Sequence, residues 1–263
     1  MKTTLVDKAL SRVAEERTLL RNLQAAFNQF EQEVRQLSTA PTGGSPRQMT
    51  DGGVTPVSKA VGAAGSGTDR CQSVCEVFAE RVKPHSTEAV DGDEPVLETV
   101  RHELGDEVAL ALAPTTDTSY DKRVKQGILA ASQQRRTEIE AMCNALDAEE
   151  VSVESARELV TVVEQFAADE EPLLSLSFRA LQSQHEELAG YQDRIKNRLE
   201  QRQCHLHGST GVDAKIGVTH LSLAEHLYSS FTSSYPVLST LTQLCSCCQA
   251  SQREVRDHLV RRV

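Results

Sequence analysis

Two short runs near the C-terminus hold the residue types that bind soft metal ions: Cys204-His205-Leu206-His207 and Cys245-Ser246-Cys247-Cys248, with His220 and His226 between them. Zinc takes four cysteine or histidine ligands. A loop pair folding against a helical pair three residues apart on one face makes Cys204, His207, Cys245 and Cys248 the candidate zinc quartet. The competing reading is that Cys245 and Cys248 are small apolar seam residues, a common use of free cysteine. Cys71 and Cys75, four apart, read as packing residues that could also meet a partner pair across a dimer. Cys143 has no histidine near it in sequence to activate a thiolate.

The carboxylates point to no catalytic pair. Glu138 with Glu140, and Glu149 with Glu150, are not spaced to share a helical face, so no acid and base couple is readable. Gly-rich phosphate loops and period-2 strand patterns are missing, which speaks against an α/β nucleotide-binding fold. The chain carries 28 Lys+Arg against 38 Asp+Glu, a formal net charge of −10. Without a Lys/Arg block of five or more, nucleic-acid binding is disfavoured. Arg253, Arg256, Arg261 and Arg262 make a modest basic tip of the kind that suits a helix C-terminus. The acidity is concentrated in residues 88–171, where 21 acidic residues face 7 basic ones, a stretch that would attract a basic partner.

Charges at Lys2, Asp7, Lys8 and Arg12 interrupt the start of the chain, which is unlike a signal peptide. The longest apolar run, Val108 to Ala113, falls far short of the roughly 20 residues that cross a bilayer. A cytoplasmic protein is therefore expected, with no membrane contact and with its seven cysteines as reduced thiols or metal ligands rather than disulfides.

The elements that must position these residues are helical. Only 4% of residues are aromatic and 39% hydrophobic, lean for one large core but sufficient for narrow apolar seams between long helices. Within residues 1–38, Val6, Val13, Leu20, Phe27 and Val34 recur every seventh position, with Ala9, Leu23, Phe30 and Leu37 three residues after four of them. That is a heptad helix with an a/d seam. Glu16 occupies one d position and must be exposed or paired with a cation. Residues 39–70 are rich in Gly, Pro, Ser and Thr and read as a flexible linker. It would let the first helix fold back on the chain or reach another chain.

From 71 to 263 the pattern predicts a helical bundle. A short helix carries Cys71, Val74, Cys75, Phe78 and Val82 and ends at Pro84. Another starts near Pro95 and continues through Leu97, Val100, Leu104 and Val108. A third spans about Tyr120 to Leu146, and Ser152 is placed as the N-cap of a fourth. Coiled-coil helices are expected near 174–202 and 236–262. The first has Leu174, Leu181, Leu188 and Ile195 at d and Phe178, His185, Gln192 and Leu199 at a; the second has Leu238, Leu241, Cys245, Cys248, Gln252, Val255 and Leu259. Residues 205–219 read as a loop, and Ser222 to Glu225 has capping-box spacing.

In order, these features resemble a family of haloarchaeal coiled-coil proteins of unknown function. The likeness rests on Ala14 to Arg17 and Phe27…Phe30, then the linker, Val82-Lys83-Pro84-His85, and Glu103-Leu104-Gly105. It continues through Tyr235-Pro236-Val237-Leu238 and Val255 to Arg262. The resemblance carries no activity to any residue.

The sequence thus reads as an all-α, elongated helical bundle with coiled-coil segments and a flexibly tethered N-terminal helix. Its expected role is non-enzymatic interaction or scaffolding, with a protein partner or a second copy and with no cofactor. The interaction seam would be Val13, Leu20, Phe27, Phe30, Val34, His185 and Gln192. The alternative is a zinc- or thiol-dependent regulator built on the C-terminal Cys/His cluster. Polar seam residues fix register at a cost in stability. Replacing His185 and Gln192 together by Leu is therefore expected to raise the melting temperature and loosen oligomer choice; a single unchanged species with unchanged melting in a sedimentation and calorimetry series removes the seam assignment.

Overall fold

A computed structural model describes residues 4–39, 67–86, 94–116, 118–169, 171–208 and 219–262. Among them are eight α-helices and no strand: α1 (Leu5–Gln36), α2 (Gly67–Arg81), α3 (Val96–Leu104), α4 (Asp106–Leu112), α5 (Lys122–Ala168), α6 (Phe178–His207), α7 (His220–Leu227) and α8 (Pro236–Val260). The chain divides into two units, one of Met1–Thr18 with Ala141–Val263 and the other of Leu19–Glu140. Helices α1 and α5 contribute a segment to each.

The ends of the long helices are fixed by local hydrogen bonds. At α1 the Thr4 hydroxyl accepts from the Asp7 N–H (3.2 Å), while the Asp7 carboxylate accepts from the Thr4 N–H (3.0 Å), so two donors without helical partners are satisfied reciprocally. The bond from the Thr4 N–H and, after it, one that the Thr4 hydroxyl donates to the same carboxylate (2.8 Å) hold the Asp7 carboxyl below its usual range. At the other end, Lys125 Nζ donates to the carbonyls of Arg35 and Leu37 at 2.7 Å each. Asp121 caps α5 by accepting from the Arg123 and Val124 N–H groups (2.8 and 2.9 Å).

In the unit formed by Leu19–Glu140, Phe27 and Phe30 of α1 meet Phe78 of α2 edge-on, with ring centroids 6.5 and 5.5 Å away. Three of the chain's six phenylalanines are concentrated there, and each is fully buried. Arg81 of α2 reaches Glu33 of α1 at 2.7 Å. Along the first heptad, Phe27, Phe30 and Val34 have no exposed surface and Leu20 is half-buried in this unit, and Val13 is fully buried in the other. These residues pack within the described chain. An apolar stripe this long lowers its free energy most by burying against whatever lies nearest. Most of the predicted linker lies outside the described residues, and its last four residues already belong to α2.

Three other boundaries differ from expectation. The helix expected to run through Val108 breaks at Gly105, whose φ of +89° interrupts the helical path between α3 and α4. The two helices expected on either side of Ser152 are one, because nothing between Leu146 and Ser152 is Gly or Pro. The capping box lies three residues earlier than expected, with Thr219 as cap and Ser222 as its partner.

In the unit formed by Met1–Thr18 and Ala141–Val263, α6 and α8 run antiparallel. Gln192 of α6 donates to Gln252 of α8 (2.9 Å), and Gln252 donates to the His185 carbonyl (3.2 Å). Arg262, beyond the end of α8, donates to the carbonyls of Leu173, Leu174 and Leu176, just before α6 begins. Leu181, Leu188 and Ile195 bury on one side, and Leu241, Cys248 and Val255, also seven apart, on the other. Ser177 caps α6 by accepting from the Ala180 N–H (3.2 Å). Leu174 therefore lies outside the helix and is exposed rather than a d residue, and Phe178 is exposed as well.

At Gly105 a Cβ would meet nothing within 4 Å, so only the backbone conformation opposes a side chain there. Gly105→Ala is expected to destabilise by about 1–2 kcal/mol, read as a lower urea midpoint with an unchanged slope.

Candidate functional site

The most elaborate group of functional side chains centres on Glu149 of α5, which is 1% exposed. Arg202 of α6 donates to it twice, Nη1 to Oε2 and Nη2 to Oε1, at 2.7 Å each. The Tyr228 hydroxyl, just past α7, donates to Oε1 at 2.7 Å. His205 Nε2 lies 3.1 Å from Oε2 and donates, since an ionised carboxylate only accepts. Arg202 Nη1 also reaches the Ser152 hydroxyl (2.9 Å), so Ser152 serves as a hydrogen-bond partner in mid-helix and not as a cap. The His205 and His220 rings pack with centroids 4.2 Å apart.

The electrostatics follow from this geometry. Burial by itself would raise the Glu149 pKa, but the bonds from His205 and Arg202, the guanidinium charge and the Tyr228 hydroxyl reverse that and hold it at about 2. Burial first, and then the adjoining carboxylate, push the Tyr228 phenol up, so it remains a donor. Each Glu149 oxygen already accepts two bonds and the group carries no proton at neutral pH. The cluster therefore clamps helices and is not set up to exchange protons.

Smaller clamps repeat the pattern. Arg17 of α1 pairs with Glu150 and with Asp147 (3.2 Å), and Arg157 with Asp7 (3.1 Å). Glu16, expected to be exposed or paired, is 8% exposed and held by Arg12 at 2.8 Å. In the other unit, buried Glu31 receives Arg35 (2.8 Å) and Arg136 (3.2 Å). Buried Glu103 receives Arg135 (2.8 Å) and the Ser86 hydroxyl (2.7 Å).

The candidate zinc residues are not brought together. Cys204 and His207 lie on the last turns of α6, which extends three residues into the expected loop, and residues 209–218 are outside the described part. With Gln192 opposite Gln252 in an antiparallel pair, Cys204 falls level with the first turns of α8. Cys245 and Cys248 are further along, by about 1.4 turns or more, which is roughly 7 Å at the least. His207 Nδ1 is engaged with the Gln203 carbonyl at 2.7 Å. Among the described residues no three His, Cys, Asp or Glu side chains are grouped to hold a metal ion. Cys247 and Cys248 instead line an opening of about 400 Å³, walled by Val160, Val163, Phe166, Leu188 and Leu244. His185 is half-buried, and Gln192 is 8% exposed with its amide satisfied.

Arg202 was legible in principle. It extends the series Leu181, Leu188, Ile195 by seven residues, and so belongs to the buried stripe. Glu149 likewise fits between Leu146 and Val153 in the buried stripe of α5. Nothing in the sequence marks Tyr228.

An all-α protein whose buried charges are matched in pairs, and in which no described helix is long and apolar enough to cross a membrane, is the class this fold defines. Residues 4–252 match the family model for a domain of unknown function (DUF7260), and the chain belongs to that family. No curated protein and no solved structure matches it.

Because the folded pKa of Glu149 lies below its ordinary 4.5, the stability it contributes is complete above about pH 5 and is lost as the pH falls toward about 2. The linked loss is about 3 kcal/mol. Glu149→Gln is expected to flatten this part of the pH profile in urea titrations and to cost roughly 3–5 kcal/mol at neutral pH by leaving Arg202 buried without its counter-charge.

Proposed function

We propose that the protein is a non-enzymatic interaction module that associates through helix contacts with a second copy of itself. The observation that carries this reading is an apolar tip. Where α6 begins and α8 ends, Leu174 is 82% exposed, Phe178 48% and Val260 70%. Large apolar side chains exposed together at one end of a helix pair are the material of interaction surfaces. Arg262 holds this tip together by its bonds to the carbonyls of Leu173, Leu174 and Leu176, so the surface is preformed, which lowers the entropy cost of binding. The matched charges around Glu149, Glu31 and Glu103 support a structural role over a chemical one. A cytoplasmic protein with reduced thiols and a coiled-coil style of helix pairing, as in the haloarchaeal proteins the sequence resembles, fits this reading, and a net charge of −10 makes copies repel one another in dilute salt. High salt screens the repulsion between acidic copies and strengthens apolar contacts.

Light scattering coupled to size exclusion tests this with the full chain, in moderate and in multimolar salt. Oligomers that grow with salt are expected, and Leu174→Ser with Phe178→Ser and Val260→Ser is expected to weaken association by at least about tenfold. A chain that is monomeric in both salts, or a variant that associates like the parent, rejects the reading.

A further inference from the structure

Helix α2 presents Cys71 and Cys75 one turn apart on the same face, with Cβ atoms roughly 5–6 Å apart. Cys71 is 5% exposed and Cys75 half-buried, and neither is in a disulfide. Both line a single cavity of about 280 Å³, with Leu97, Leu112, Ala113 and Pro114 among its other walls. The thiols donate weakly to backbone carbonyls, Cys71 to Thr118 (3.7 Å) and Cys75 to Leu112 (4.0 Å), the geometry of protonated sulfur. Burial pushes both thiols up, Cys75 to about 11. Next to them, the fully buried Tyr120 hydroxyl has no hydrogen-bond partner among the described residues, and a charge on Cys71 would act directly on it.

Such a site disfavours ions. A four-coordinate zinc would need two more ligands, and among the described residues no group of three is placed to hold a metal. Two thiolates in apolar surroundings would also carry a heavy desolvation penalty. A centre that takes two sulfurs and stays neutral escapes both objections.

We propose that Cys71 and Cys75 form a capture site for a trivalent organoarsenical, or another thiophile of the same chemistry, whose organic group lies in the adjoining cavity. In the exchange, R–As(OH)₂ and two thiols give R–As(S–Cys)₂ and two waters. Two As–O bonds break and two As–S bonds form, each thiol proton leaves on a departing hydroxide, and arsenic keeps its oxidation state. Every species is uncharged, so the apolar lining favours the product as well as the thiols. The cavity is ample for an aryl group, since roughly 150 Å³ takes a benzene ring. Closing one ring through two sulfurs makes the adduct resist simple thiols by effective concentration, whereas an adduct on one cysteine does not.

The test uses the full reduced chain and phenylarsine oxide. After a wash with excess 2-mercaptoethanol, intact mass is expected to show one retained phenylarsenic group, which 2,3-dimercaptopropanol then removes. Peptide mapping with N-ethylmaleimide is expected to find Cys71 and Cys75 protected, a readout that needs no variant. Cys71→Ser and Cys75→Ser are each expected to lose retention, and Cys245→Ser with Cys248→Ser to keep it. No retained group, protection confined to Cys245, Cys247 and Cys248, or retention unchanged in both α2 variants overturns the proposal.

Discussion

A carboxylate placed inside a helical unit must find its counter-charge there, and Glu149 is the position where this requirement governs the most structure. Taking the ion out of water costs several kcal/mol, and the cost is met only if Arg202, His205 and Tyr228 all arrive within hydrogen-bond distance. Those three side chains belong to α6 and to the segment after α7, so their positions along α5 are fixed together. A slip of one helical turn would leave a guanidinium and a carboxylate both buried and unpaired. The ion pair adds little net stability over an apolar substitute, but it makes every other register far worse. The antiparallel packing of α8 on α6 then follows, with Gln192 and Gln252 adding a second, uncharged register mark.

The other unit obeys the same constraint with a different balance. Glu31 and Glu103 are buried and met by arginines from α5, while the phenylalanine triad supplies much of the apolar burial between α1 and α2. In a chain with 4% aromatic residues, concentrating three of them at one contact yields a dense local core where a scattered set would yield none. Helices joined in this way leave shallow cavities at their flanks, and the cysteines of α2 and α8 line two of them.

How much was legible varied with the physics of each feature. Helix identity and the buried faces were readable, since Val13, Phe27, Leu181, Leu188, Cys248 and Val255 repeat with the periods that a packed helix imposes. The pairing of Glu16 with a cation was readable because its d position allowed few alternatives. Boundaries were less so. The break at Gly105 depends on a backbone angle that glycine permits without requiring, and Ser152 suits a helix start as well as a helix interior until Arg202 is opposite it. Leu174 carried the right spacing but stands before the cap at Ser177, so the periodicity extended past the element that gave it meaning.

By itself the sequence determined an all-α protein, the apolar faces of its long helices and the absence of an apolar stretch that could span a bilayer, because periodicity and composition are properties of one segment at a time. Which segments meet was decided only by tertiary structure. The buried face of α1 packs within the chain, His205 meets the His220 ring while no three of the described C-terminal cysteines and histidines gather around one point, and Glu149 gathers partners 53 and 79 residues away. Each of these outcomes depends on the distance between side chains on different helices, and spacing along a chain does not encode that distance until the helices are packed.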